Sequence, residues 1–143
     1  MIAVDTNVLV YAHRSDSGFH DMALRRMVGL AEEQARWAIP WPCVHEFLAI
    51  VTHPRIYDPP SPQGRALESV NEWLRAPGCR TIAEGPGYFE TLKRLVGPSQ
   101  AVGGMVHDAR VAAICIHHGV SVLWSADRDF SRFPALKTAN PLL

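Results

Sequence analysis

The sequence is poor in cysteine and contains no long apolar run. Its three cysteines are spread over 143 residues without a C-x-x-C pair, which argues against a disulfide framework and against a zinc finger. The apolar run 111–116 is far too short to span a bilayer, and the apolar start, 1–4, is too short for a signal peptide. We therefore expect a cytoplasmic protein with no membrane partner.

Lysine is also scarce, and the formal net charge is zero. Basic and acidic residues balance at 14 each, and the only lysines are Lys93 and Lys137. A balanced charge does not by itself indicate a nucleic-acid-binding protein, although the planar guanidinium group of arginine suits phosphate recognition. The length, the 48% hydrophobic content and the absence of repeats predict one globular domain over residues 1–143.

Hydrophobic patterning predicts short strands that alternate with helices. The expected strands cover 2–5, 36–39, 79–82, 120–124 and 137–139, and the expected helices cover 8–13, 19–34, 62–75, 86–96 and 104–118, with one more inside 39–53 and a proline-rich loop at 54–62. This alternation predicts an α/β fold with a mainly parallel sheet. Ligands of such sheets bind at the carboxyl ends of the strands, where the strand order reverses. Asp5 and Asp127 each follow a predicted strand and should lie at that edge.

Two further acids interrupt helix faces that are otherwise apolar. Glu46 and Asp108 have no lysine or arginine three or four residues away on the same face, so both are expected at core-facing positions. Each could instead sit at a helix edge and reach water. Together with Asp5 and Asp127, however, the four carboxylates would repel one another. A divalent cation such as Mg²⁺, which prefers oxygen ligands, would remove that repulsion.

Polar residues beside these acids are candidates for a supporting role. Asn7 and Ser125 could orient the neighbouring carboxylates, and in "SADRDF" we expect Asp127 to face the site while Asp129 shapes the turn. Ordinary turn chemistry is the alternative interpretation of Ser125 and Asp129.

The segments "AVDTNVLV", "HEF", "VHDARVAAICIHHG" and "LWSADRDFSRFPALK" resemble the PIN-domain ribonucleases, and most of all the VapC-type toxins of bacterial toxin–antitoxin pairs. The likeness runs from residue 2 to about residue 142. It implies a three-layer α/β/α domain that cleaves single-stranded RNA with Mg²⁺ or Mn²⁺ and leaves a 5′-phosphate and a 3′-hydroxyl. It also implies a cognate antitoxin as partner and a homodimer.

The resemblance places Asp5, Glu46, Asp108 and Asp127 on the family's acidic positions and Asp129 on a more variable one. Asp5 and Asp108 would be the main metal ligands, and Glu46 and Asp127 would complete the set, some through water. A water activated by the metal would then attack the scissile phosphate. The chain departs from the family at 103–104, where two glycines replace a frequent asparagine, and in the proline-rich loop 54–62.

Setting the four acids aside leaves 10 acidic against 14 basic residues, a net charge of +4, which has the sign required for RNA. The arginines expected near the site, and therefore candidates for substrate binding, are Arg14, Arg55, Arg128 and Arg132.

Three other functions remain open. A housekeeping RNA-processing nuclease would use the same residues. A haloacid-dehalogenase-type phosphatase needs a second aspartate two residues after the first, where this chain has Asn7, and a downstream lysine. A non-catalytic module that binds RNA or a protein would not need the full set of acids.

Overall fold

Five short strands form one parallel sheet at the centre of the protein. The computed structural model describes residues 1–143. Neighbouring strands pair in the order β3-β2-β1-β4-β5, and every pair is parallel. The predicted α/β class is confirmed, and the sheet is parallel throughout. The strands are β1 (Ile2–Val4), β2 (Trp37–Pro40), β3 (Cys79–Ile82), β4 (Val122–Trp124) and β5 (Thr138–Ala139).

Six helices cover the two faces of the sheet. Helix α1 packs against both α2 and α3, and α3 packs against α4, whereas α5 packs against α6. This division follows from right-handed crossovers, because the chain moves outward from β1 to β3 and then returns past β1 to β4. The result is the expected three-layer α/β/α arrangement. The helices are α1 (Thr6–His13), α2 (His20–Glu32), α3 (Trp41–Val51), α4 (Gln63–Arg75), α5 (Tyr88–Ser99) and α6 (Met105–His117), with a 3₁₀ helix at Arg128–Arg132.

The central strands are buried on both sides. Val4 and Leu123 are fully buried, and the whole of β2 is inaccessible to solvent. These residues belong to a single cluster of 34 buried apolar residues. A strand held on both faces gives the residue that follows it a fixed position. None of the helices has the length and apolar character needed to cross a membrane.

The element boundaries agree with the sequence-based expectation within about three residues, with two informative differences. Helix α1 begins at Thr6 rather than near Val8, so Asp5 directly precedes the helix. Helix α5 continues beyond the expected end at Val96 and across Pro98. Its last turn is closed by the Ser99 hydroxyl, which donates to the Leu95 carbonyl at 2.6 Å.

The strand order reverses between β1 and β4. Strands β2 and β3 lie on one side of β1, and β4 and β5 lie on the other. The backbone N–H of Asp5 donates to the Trp124 carbonyl at 2.9 Å, so the ends of β1 and β4 are joined at this point. The fold therefore forms a crevice at the carboxyl edge of the two central strands.

Candidate active site

Four acidic side chains from four separate elements converge in that crevice. Asp5 follows β1, Glu46 lies in the middle of α3, Asp108 lies in the first turn of α6 and Asp127 follows β4. All four line one pocket of about 320 Å³, called the acidic pocket below. The structure thus brings together the four acids that the sequence singled out.

Asp5 is held by hydrogen bonds to both of its carboxylate oxygens. The Ser125 hydroxyl donates to Oδ2 at 2.7 Å, and the Asn7 side-chain amide donates to the same atom at 3.3 Å. The Cys43 thiol donates to Oδ1 at 3.5 Å. Oδ2 therefore has two donors, whereas Oδ1 has only one weak donor and keeps a lone pair for another ligand.

Asn7 and Ser125 also connect the ends of the two central strands. The Asn7 amide donates to the Ser125 hydroxyl at 3.2 Å, and its Oδ1 atom accepts from the N–H of Ala126 at 3.1 Å. The Ser125 hydroxyl in turn accepts from the N–H of Asp127 at 3.0 Å. These bonds fix the chain after β4 relative to the chain after β1. Both residues also donate to the Asp5 carboxylate and so hold its orientation.

No cation of the protein pairs with the four acids. Burial raises the pKa of Asp5 in spite of the hydrogen bond from Ser125, and the charge of Asp127 raises it further. Partial desolvation in the pocket also raises the pKa of Glu46, with smaller contributions from Asp5 and Asp127. The pKa of Asp108 is raised by burial and then by Asp127, Asp129 and Glu46. The carboxylates repel one another, and the three ion pairs of the molecule lie elsewhere, at Arg14–Asp16, Lys93–Glu90 and Arg110–Glu84.

The donor set fits a divalent cation of the Mg²⁺ or Mn²⁺ type. One carboxylate oxygen from each of Asp108, Asp127 and Asp129 lies within 4.8 Å of the others. The Thr6 hydroxyl lines the same pocket and is buried without a hydrogen-bond partner. Hard cations take oxygen ligands of this kind and usually retain some water.

Two expectations about burial were wrong. Glu46 is exposed and Asp108 is only partly buried, so neither faces the core. Both face the acidic pocket, which is open to solvent. Among the four acids only Asp5, with 6% of its surface exposed, is buried.

The structure also changes the expected roles within "SADRDF". Asp127 lines the acidic pocket, as expected, but its Oδ1 atom also accepts from the N–H of Asp129 at 2.8 Å and caps the 3₁₀ helix. The carboxylate of Asp129 makes no hydrogen bond in the turn and lies with Asp108 and Asp127 instead. Asp127, not Asp129, therefore shapes the turn, while Phe130 anchors it in the core with 2% exposure.

The four candidate arginines differ in their contacts. Arg14 is committed to the protein, because it pairs with Asp16 at 2.7 Å and donates to the carbonyl of Pro59 and the hydroxyl of Ser61. The expectation that Arg14 contacts RNA is therefore not supported by its geometry. The other three are exposed and have no side-chain partner: Arg55, Arg128 and Arg132.

The proline-rich loop forms one wall of the acidic pocket through Tyr57. The guanidinium of Arg14 stacks over this ring at 4.2 Å from its centroid. The Ser61 hydroxyl, at the end of the loop, lies 2.7 Å from Nε2 of His13 at the end of α1. The loop is thus fastened to α1, and Arg14 serves this attachment.

Sequence reasoning missed the roles of three groups at the site. The spacing places Cys43 on the same helix face as Glu46, but it does not show that the buried thiol donates to Asp5. His107, beside Asp108, lines the pocket, and its charge lowers the pKa of Glu46. Tyr57 enters from the proline-rich loop, and no periodic signal marks it.

Comparisons with known proteins agree with this geometry. Residues 2–136 match the PIN domain family. The chain is 31% identical over 137 residues to ribonuclease VapC48 of Mycobacterium tuberculosis, covering 96% of this chain and 94% of that protein. It is 32% identical over 143 residues to ribonuclease VapC31 of the same species, covering 100% of both.

Solved structures share the fold at low sequence identity. VapBC2 from Rickettsia felis, bound to a promoter DNA fragment, matches with a TM-score of 0.72 at 19% identity over 98% of both chains. FitAcB from Neisseria gonorrhoeae matches with a TM-score of 0.68 at 16% identity, over 99% of this chain and 98% of that one. The fold, the site and these relatives agree: the chain belongs to the PIN-domain family, among the VapC ribonucleases.

Proposed function

We propose that this protein is a divalent-cation-dependent endoribonuclease that cleaves single-stranded RNA, and that it is the toxin of a toxin–antitoxin pair. One observation carries the proposal: four carboxylates from four elements meet in one pocket without a cation of the protein. The relatives named above are ribonucleases. The VapC20 toxin of M. tuberculosis, described as cleaving the sarcin–ricin loop, shares the fold with a TM-score of 0.66.

The acids would hold Mg²⁺ or Mn²⁺ and divide into two groups. Asp5, through Oδ1, and Asp108 would bind the cation directly, and Glu46 and Asp127 would complete the site, some through water. Asp129 lies close enough to Asp108 and Asp127 to take part. When bound, the cation would activate a water for attack on phosphorus and neutralise charge on the phosphate oxygens.

The protein's own groups would position the reaction, and the Cys43 thiol would not serve as a nucleophile. Ser125, Asn7 and Cys43 keep the Asp5 carboxylate in one orientation. Burial and the neighbouring Asp5 charge raise the pKa of the Cys43 thiol well above its ordinary value, so the thiol stays protonated and is a poor nucleophile. The pocket has space for a phosphate group beside the acids. Attack by water with departure of the 3′-oxygen, which takes up a proton, would leave a 5′-phosphate and a 3′-hydroxyl.

A cleavage assay with end analysis tests the proposal. Purified protein should cut single-stranded RNA in Mg²⁺ or Mn²⁺, stop in EDTA and resume when the metal is restored. Asp5→Asn should remove cleavage, and Asp21→Asn, which changes an exposed acid of α2, should behave like the wild type. Cleavage that continues in EDTA, or products with 2′,3′-cyclic phosphates, would contradict the metal mechanism.

The partner proposals rest on the family. The chain shares its fold with the solved VapBC2 and VapBC-1 structures and with VapC20, which is described as a toxin. These similarities support a cognate antitoxin as the partner of this protein. The alternative within the nuclease class is a housekeeping RNA-processing enzyme. The homodimer and the cytoplasmic location stay predictions.

A further inference from the structure

A second cleft lies between the C-terminal half of α5 and the segment 132–135, at and after the end of the 3₁₀ helix. Its volume is about 380 Å³. We call it the arginine cleft, because the only charged side chains that line it are Arg94 and Arg132. Its other principal lining residues are Leu95, Pro98, Phe133 and Pro134.

The two arginines of this cleft are free of other partners. Both are exposed, and neither takes part in an ion pair or a side-chain hydrogen bond. In contrast, Arg14 and Arg110 each pair with a carboxylate of the protein. No acid lines the cleft, so its charge is +2 and available to an external anion. A guanidinium group suits a phosphate because it can donate two parallel hydrogen bonds.

Apart from Ser99, whose hydroxyl donates to the Leu95 carbonyl, the rest of the cleft is apolar and firmly held. Leu95 and Phe133 are 8% and 1% exposed, and they belong to the protein core. Pro98 of α5 and Pro134 after the 3₁₀ helix add rigid, exposed apolar surface. An apolar cavity with two cationic groups matches one nucleotide, which carries a flat base and a phosphate. A small inorganic anion would leave the apolar surface unused.

The 3₁₀ helix connects a residue of the acidic pocket to a residue of the arginine cleft. Asp127 caps the start of this helix, and Arg132 is its last residue. The charge of Arg132 acts on Asp108 and opposes the rise of its pKa. A strand of RNA whose scissile phosphate lies at the acids would therefore pass Arg132 next.

We propose that the arginine cleft binds a nucleotide of the RNA that flanks the cleaved bond. Arg94 and Arg132 contact its phosphates. Its base packs against the exposed rings of Pro98 and Pro134, above the cleft floor that Leu95 and Phe133 support. This inference rests on the proposed ribonuclease function and extends it to the placement of the substrate. RNA is favoured over a protein partner because the cleft is cationic and the 3₁₀ helix connects it to the phosphate-cleaving acids.

Single-turnover cleavage of a labelled single-stranded oligoribonucleotide in Mg²⁺, with protein in excess, tests the cleft. The double variant Arg94→Ala/Arg132→Ala should raise the half-saturating protein concentration about tenfold and leave the maximal rate within threefold of wild type. A plot of the logarithm of that concentration against the logarithm of the salt concentration should also become less steep. Its slope should fall by about 1.4, because two phosphate contacts are lost. Arg36→Ala is the matched control. It removes an exposed, unpaired arginine that directly precedes β2, at the amino-terminal ends of the strands. It should change neither the half-saturating protein concentration nor the salt dependence.

A second arm tests the base contact. A series of substrates carries one abasic nucleotide each, at successive positions that flank the cleaved bond. The wild-type protein should bind at least one of these substrates about threefold or more weakly than the intact RNA. Equal binding at every position would overturn the base contact. Thermal melting checks that the double variant is folded, which is expected because both side chains are exposed.

The outcomes separate the two proposals. An unchanged half-saturating concentration, or a loss confined to the maximal rate, would overturn the cleft as a nucleotide site. Unchanged RNA binding combined with weaker antitoxin binding would instead assign the cleft to a protein partner. Absence of any cleavage by the wild type would overturn the ribonuclease function itself, and the cleft proposal with it.

Discussion

Asp5 shows at the scale of single residues why a carboxylate follows a buried strand. Its backbone is bonded to the end of β4, and its side chain accepts from Ser125, Asn7 and Cys43. A buried acid with so many donors has one orientation. Its pKa is nevertheless raised by burial, so the orientation is maintained at a cost in stability while no cation is bound.

The metal-free protein should become less stable relative to Asp5→Asn as the pH rises. A carboxyl group whose pKa is raised by folding binds its proton more tightly in the folded state. Its stabilising contribution is present below the unfolded pKa of about 4 and is lost as the pH rises through the folded value. In EDTA, the melting temperature of Asp5→Asn minus that of the wild type should therefore increase from pH 4 to pH 7. A difference that falls over this range would show that the ionised Asp5 stabilises the fold.

Cys43 should act by positioning Asp5. Cys43→Val stays apolar, with a slightly larger side chain, and removes the donor to Oδ1, whereas Cys43→Ser keeps a donor. We expect the valine variant to lose about tenfold in cleavage rate, with a change in unfolding free energy below about 1.5 kcal/mol. The serine variant should retain activity. Cys115→Val is the control, because Cys115 is equally buried and makes no hydrogen bond to an acid. Equal rates for Cys43→Val and Cys115→Val would remove the positioning role.

At the scale of elements, the strands were predictable and the surroundings of the helices were not. Alternating strands and helices imply a parallel sheet, and a parallel sheet places Asp5 and Asp127 at one edge. Helical spacing identifies the face on which Glu46 and Asp108 lie. It does not show whether another element covers that face, and here the face borders an open pocket. Tertiary packing decides whether a helix face is covered, and the periodicity of the local sequence does not reveal that packing.

The turn after β4 illustrates a second limit. Ser125 accepts from the N–H of Asp127, and Asp127 accepts from the N–H of Asp129. Both aspartates of the turn are chemically able to cap it, and the choice depends on where the strand ends. Arg14 shows the same limit, because its pairing with Asp16 and the proline-rich loop depends on the folded loop.

Asp127→Asn should impair cleavage more than Asp129→Asn. Asp127 lines the pocket, and a displaced catalytic group can cost on the order of a hundredfold in rate. The asparagine oxygen can still accept from the N–H of Asp129, so stability should change little, whereas Asp127→Ala should lose about 1 kcal/mol through the missing cap. Single-turnover rates at saturating Mg²⁺ and thermal melts measure both effects. A larger loss of rate in Asp129→Asn would reverse the assignment.

At the scale of the whole molecule, a net charge of zero conceals a separation of charge. The acidic pocket concentrates unpaired carboxylates, while Arg94, Arg128 and Arg132 are exposed and unpaired. Such a surface attracts RNA at its arginines and a cation at its acids. Without metal, the same pocket would accept a cationic side chain from a partner protein.

Expression of this gene alone should therefore arrest growth, and co-expression of the neighbouring antitoxin gene should restore it. The antitoxin would place an arginine among the carboxylates, where the cation otherwise lies. Asp5→Asn expressed at the same level is the control and should be harmless. Harmless overexpression of a cleavage-competent wild-type protein would favour a housekeeping nuclease over a toxin.

The most direct test of the central claim, that the four acids form one divalent-cation site, is a calorimetric titration of the metal-free protein with Mn²⁺ at neutral pH. The wild type and Asp21→Asn should bind Mn²⁺ with the same affinity, and Asp5→Asn should bind it at least about tenfold more weakly. The titration does not depend on RNA or on turnover. Equal Mn²⁺ affinity in the wild type and Asp5→Asn would contradict the account.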